Sequence, residues 1–223
     1  MHQNNNSYHR IKENLSLYGF GTTHSAHFQT IKELVENSID ALKVNTHTLL
    51  EPAITIDLIL DIKKNNHLQI VVGDSGVGMN DPLNSFLCFS SNKSALITQQ
   101  IEKPPQSLFS IITSDPPVTD VSSGESIKFM GKFGLGLYCI ILYSTLNSQE
   151  PVRVITKTEQ DINVKIADYV LDSIHQKVRM VQAKSVWLEG FTAGTRVAVY
   201  LPTSPLPPSL SETGNATSTF ITQ

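Results

Sequence analysis

The stretch from His24 to Lys43, HSAHFQTIKELVENSIDALK, decides how the rest of the chain is read. Apolar side chains recur at Phe28, Ile31, Leu34, Val35, Ile39 and Leu42 in steps of three and four, the spacing of an amphipathic helix. On such a helix Glu33 and Asn37 stand one turn apart on the same face and can reach into a single pocket, with Asp40 and Ala41 on neighbouring faces. A carboxylate in that place can orient and deprotonate a water. A carboxamide oxygen one turn on can complete the shell of an oxygen-loving magnesium ion. Taken alone, the pair is better read as a surface glutamate and a helix-capping asparagine.

Working outward, Ile54 to Leu60 alternates as a half-buried strand does, and Leu68 to Val72 follows as a second strand. Where it stops stands Asp74-Ser75-Gly76-Val77-Gly78-Met79. The two glycines permit a tight turn on which a flat base can lie. Asp74 would then accept a hydrogen bond from an exocyclic amine, with Met79 as a polarizable apolar contact. A glycine turn after a strand is also an ordinary loop. Gly73-Asp74-Ser75-Gly76 further matches the nucleophile turn of trypsin-like proteases, but no disulfide framework or protease-like histidine block accompanies it.

A third block, Gly131-Lys132-Phe133-Gly134-Leu135-Gly136, opens a helix expected over Gly134 to Leu146, where free backbone amides favour phosphate. It is not a Walker loop, because Lys132 is followed by Phe133 rather than Ser or Thr. In isolation it would pass for a glycine-rich hinge. Between the second and third blocks, Asn80 to Met130 carries Pro104, Pro105, Pro116 and Pro117 and a Ser-Gly cluster, which predict a long mobile segment with one short helix near Pro82 to Phe89. Strands are expected at Val152 to Thr156, Val164 to Val170, Val178 to Val186 and Thr195 to Leu201. Residues 1–16 are polar and read as a flexible arm, and 203–223 as a disordered tail.

Composition narrows the classes. A chain of 223 residues, 40% hydrophobic and 17% charged, can bury one sizeable core. Its apolar runs fall short of the roughly 20 residues that span a bilayer, so no membrane partner is expected. The amino terminus lacks the pattern of a signal peptide, so an intracellular protein is expected. Cys88 and Cys139 are then reduced. A net charge of -3 leaves no electrostatic footprint for nucleic acid, so DNA would be engaged indirectly. His24 and His27 lack an evident third ligand, and no zinc is assigned.

In order and separation the three blocks resemble the N box and the two glycine boxes of the GHKL ATPases, the superfamily of gyrase B, histidine kinases, MutL and a heat-shock chaperone. The resemblance implies a Bergerat-type α/β two-layer sandwich over residues 17–202, with helices on one face of a mixed, mostly antiparallel sheet. Residues 80–130 would form the lid over the nucleotide. It implies ATP and Mg2+ as cofactors, with Glu33 as general base and Asn37 as magnesium ligand. Asp74 would contact adenine, and the hydroxyl of Thr195 would support that aspartate. Asp40, Gly76, Gly78, Met79, the lid residues Ser90 and Ser91, and Gly131, Lys132, Phe133, Gly134, Leu135, Gly136 and Leu137 would complete the ATP site.

Within the superfamily, Gly19-Phe20 through Ala41, the continuation Ile141 to Ser144 and the closing run Val197 to Pro202 are similar to the B subunit of DNA topoisomerase VI and its relatives. That branch implies ATP-gated homodimerisation, an A-type partner akin to the meiotic break transesterase, and a role in DNA strand passage or meiotic break formation. The location would be nuclear in a eukaryote and cytoplasmic otherwise. Two departures stand out: Tyr138 occupies a position where that branch has a lysine, and the lid is long. The helix-two-turn-helix and transducer domains have no counterpart in these 223 residues, so slow hydrolysis is expected of the chain by itself. Two other readings compete: a nucleotide-binding scaffold without productive hydrolysis, and another GHKL branch of chaperone or MutL type.

Overall fold

The computed structural model describes residues 4–44, 52–61, 67–86 and 135–203, with backbone alone at 4–7. Most of the expected lid, the tail beyond 203, and Ser90, Ser91, Gly131, Lys132, Phe133 and Gly134 lie outside the described residues.

Six strands form one sheet: β1 (Ile54–Asp61), β2 (His67–Asp74), β3 (Val152–Lys157), β4 (Val164–Asp172), β5 (Lys177–Val186) and β6 (Gly194–Pro202), in the order β1-β2-β6-β3-β4-β5. The strands read from sequence alternation are all present, extended by a residue or two at their ends. Every pairing among the described strands is antiparallel, so the sheet expected as mixed and mostly antiparallel is antiparallel throughout here. Alternation puts Ile70, Val72, Val154, Val197 and Val199 on one face, where all are buried, in rows such as Val72–Val197–Val154–Ala167. On the opposite face Arg153 makes a two-pronged ion pair with Asp168, at 2.7 and 2.9 Å.

Helices α1 (Asn4–Glu13), α2 (Thr23–Val44), α3 (Pro82–Ser85) and α4 (Gly136–Asn147) complete the described fold, with a 3-10 turn at Leu15–Tyr18. Helix α4 is buried at every position from Leu137 to Ser144, as a helix that is apolar nearly all round must be. It touches α2 on one side and β4 and β6 on the other, and so forms the centre of the helix layer. Tyr138 is among its buried residues. Helix α3 starts with Asp81 accepting the amide of Asn84 and with Pro82 at its first position, a standard helix start.

Two local expectations differ from what is seen. The segment read as a flexible arm contains α1, whose Tyr8 and Ile11 are buried in the core. Polar residues dominate the helix, so its two buried positions carried too little periodic signal. Helix α2 spans the expected range but turns a different face inward. Its buried residues are Ala26, Thr30, Leu34, Ser38 and Asp40, whereas Ile31 and Val35 are only partly buried and Phe28 is 71% exposed. Small and polar side chains line that inward face because it lies over β2 and the end of β6, where the pocket described next is formed.

Candidate functional site

Strand β2 ends at Asp74, and the chain then turns through Ser75 to Met79. The Asp74 carboxylate accepts the Gly76 amide at 2.9 Å, the Ser38 hydroxyl at 3.1 Å and the Thr195 amide at 3.3 Å. Three elements thus hold one acid: its own turn, helix α2 and strand β6. Burial pushes the Asp74 carboxyl above its ordinary value, while those three donors pull it the other way.

Around this carboxylate lies a pocket. Helix α2 contributes Leu34, Asn37, Ser38 and Ala41, and the turn after β2 contributes Gly78 and Met79. Val72, Leu137, Thr195 and Val197 make its apolar and strand-borne walls. Of the residues singled out from sequence, Asn37, Asp74, Gly78, Met79, Leu137 and Thr195 therefore meet in one cavity. Gly76 lies just outside, its backbone against Ala41. Asp40 is buried on α2, with Lys43 Nζ 3.9 Å from its carboxylate, and does not line the cavity.

Glu33, one turn before Asn37, accepts the Gln29 side-chain amide at 2.7 Å, and Lys32 Nζ lies 3.9 Å away. Gly136, the first residue of α4, sits so close that a side chain there would displace the Glu33 carboxylate. The start of α4, with its unpaired amides, is thereby placed beside Glu33. Leu135 precedes it as the capping residue.

Two glycines are required by geometry at this site. Gly78 adopts φ +75° with its Cα facing the Lys157 carbonyl, and Gly194 adopts φ +146° against the Asp74 carbonyl. A Cβ at either would collide with backbone that cannot swing away.

The role expected of the Thr195 hydroxyl is corrected. Asp74 and Thr195 are partners in the β2–β6 register, so it is the Thr195 amide that reaches the carboxylate. The hydroxyl instead lies 3.1 Å from Thr156 Oγ1, on the next strand in the same row. Thr156 was not singled out by sequence reasoning, and neither were Leu34, Ser38, Ala41, Val72 or Val197 as lining residues. Ser38 and Ala41 were legible as neighbours of Asn37 on the α2 face. Thr156 was not, because its partners are distant in sequence. His27, left without a metal role, makes a 2.9 Å hydrogen bond with the Pro202 carbonyl. Among the described residues no group of three or more His, Cys, Asp or Glu gathers as a metal site, and no helix is long and apolar enough to cross a membrane.

A single sheet with helices on one face, and a pocket between the central strands and a helix bearing Glu33 and Asn37, define a domain of the GHKL, or Bergerat-fold, class. Among curated proteins the chain is homologous to the B subunit of type 2 DNA topoisomerase 6. It is 26% identical to that of Sulfurisphaera tokodaii over 191 residues and 27% identical to that of Saccharolobus shibatae over 193 residues. These matches cover 86% of this chain but 30% and 31% of the relatives, so the chain spans about a third of their length. No family model matches. Among solved structures, the N-terminal domain of a DNA repair protein aligns over 86% of this chain and 40% of its own, at 19% identity and a TM-score of 0.38.

Proposed function

We propose that this chain binds and hydrolyses Mg-ATP as the nucleotide domain of a protein akin to the B subunit of topoisomerase VI. The observation that carries the reading is the buried Asp74 carboxylate, gripped by three donors at the pocket where Asn37 and Met79 also converge. A carboxylate so held is a fixed acceptor for the exocyclic amine of adenine, and Met79, Val72 and Val197 offer apolar surface to the ring. Asn37 offers one carboxamide oxygen, a hard donor suited to magnesium, and the ion's other positions fall to phosphates and water. The ion would neutralise phosphate charge. Glu33, oriented by Gln29 beside the start of α4, would hold and deprotonate the attacking water.

The relatives' name motivates the wider role: ATP-dependent pairing of two copies, action with an A-type partner, and control of DNA strand passage or meiotic break formation. Nuclear residence in a eukaryote would follow from that role.

Calorimetric titration with ATP and a non-hydrolysable analogue in magnesium tests the reading. The wild-type protein should bind both, and Asp74→Asn should weaken binding at least about tenfold, because an amide can present its NH2 where an acceptor is needed. Glu33→Ala should keep binding while turnover drops about 100-fold, the usual weight of a general base. A folded wild-type protein that binds neither nucleotide would overturn the proposal. Light scattering on the same samples reads whether the analogue produces a dimer.

A further inference from the structure

We infer that Thr156, which lines no part of the pocket, is the positioning residue that sets its preference for adenine; the inference rests on the nucleotide-binding reading above. Thr156 sits on β3 and is 1% exposed. Its hydroxyl accepts the Met79 amide at 2.8 Å, donates to the Gly194 carbonyl at 3.0 Å and lies 3.1 Å from the Thr195 hydroxyl. A hydroxyl has one proton and two acceptor sites. With the proton committed to Gly194, it accepts from both Met79 and Thr195, and its capacity is filled.

Those three partners belong to the two segments that grip Asp74. Met79 closes the turn in which the Gly76 amide donates to the carboxylate, and Gly194-Thr195 opens the strand whose Thr195 amide donates to it as well. Thr156 ties the segments together from beneath. The joint has little slack, since Gly78 packs directly on the Lys157 carbonyl and Gly194 on the Asp74 carbonyl with no side chain between. Asp74 is therefore aimed by a hydroxyl it does not touch. Aim matters for selectivity: a fixed carboxylate accepts from the amine of adenine and repels the carbonyl oxygen that guanine carries in its place.

The test compares ATP with GTP on the whole chain. Thr156→Val keeps the shape but sets a methyl against a buried amide, carbonyl and hydroxyl. ATP binding should weaken about tenfold and the ATP-over-GTP ratio should shrink by a similar factor. Thr156→Ser, which retains the hydroxyl, should restore both to within about twofold of wild type. A residue serving stability alone would lower the melting temperature and leave the nucleotide ratio where it was.

Should Thr156→Val fail to fold, Thr156→Ala leaves space for a water and carries the same comparison. Hydrogen exchange at the Met79 amide adds a readout free of nucleotide: faster in the valine or alanine variant than in the serine variant is expected, and equal rates overturn the inference. A wild-type protein that binds neither nucleotide overturns the nucleotide reading and this inference with it. A wild type that prefers ATP, with a valine variant of unchanged ratio, overturns this inference alone.

Discussion

Asp74 shows how a binding residue costs its own fold. Its carboxyl is pushed up by burial, so the folded protein holds the proton more tightly than the unfolded chain does. The sign follows directly. The cost of keeping the group charged is present at neutral pH and disappears below the unfolded carboxyl value of about 4. Asp74→Asn removes the charge while its side-chain oxygen can still accept from Gly76 and Thr195. The variant predicted to lose nucleotide should therefore melt a few degrees higher than wild type at pH 7, with the difference gone near pH 3.5; thermal melts at both pH values read this. A lower melting point at pH 7 would show instead that the charged hydrogen bonds outweigh desolvation.

The elements were largely legible in the sequence, while the faces they present were legible only in part. Strict alternation marks β1 to β6, and the antiparallel ladders follow it closely. Helix α2 obeys the expected period, yet periodicity locates apolar side chains, and the inward stripe here includes Ala26, Thr30 and Ser38 because part of it faces a polar cavity. Phe28 is consequently left on the outside. Thr156 could not be found by any local pattern, since residues 79, 156 and 194 meet only through sheet register and the turn after β2. The loop joining β3 to β4 makes its own prediction. Asp161 accepts from the amide and hydroxyl of Thr158 and pairs with Lys165 at 2.8 Å, which holds its carboxyl down at about 2. A carboxyl depressed in this way stabilises the fold above its unfolded value of about 4, and the benefit is lost as pH falls towards 2. Asp161→Asn should accordingly lower the urea midpoint at pH 7, and the gap from wild type should close by pH 2.

At the scale of the molecule, the amino-terminal helix is part of the domain and not an appendage to it. Ile11 is 2% exposed and Tyr8 3%, both in the single core that also holds α4 and the inner sheet face. Truncating Ile11 to Ala should cost about 2–4 kcal/mol in urea unfolding, as a large aliphatic in a packed core does. A change under about 0.5 kcal/mol, typical of an exposed site, would show that the helix does not contribute to the core. Phe20, next to the 3-10 turn, extends the same contact by packing its ring 5.4 Å from that of Tyr143 on α4.

Strand β6 occupies the middle of the sheet, between β2 and β3, though it follows both in sequence. During synthesis, then, β1–β2 and β3–β4–β5 emerge from the ribosome as two unconnected hairpin sheets. Neither can join the other until Gly194–Pro202 threads between them. The same strand brings Thr195 and Val197 to the pocket, so a nascent chain short of it has no place for a nucleotide. Nucleotide capture would thus reward only a chain translated at least through its sixth strand, making the ligand a check on completed synthesis as well as a substrate.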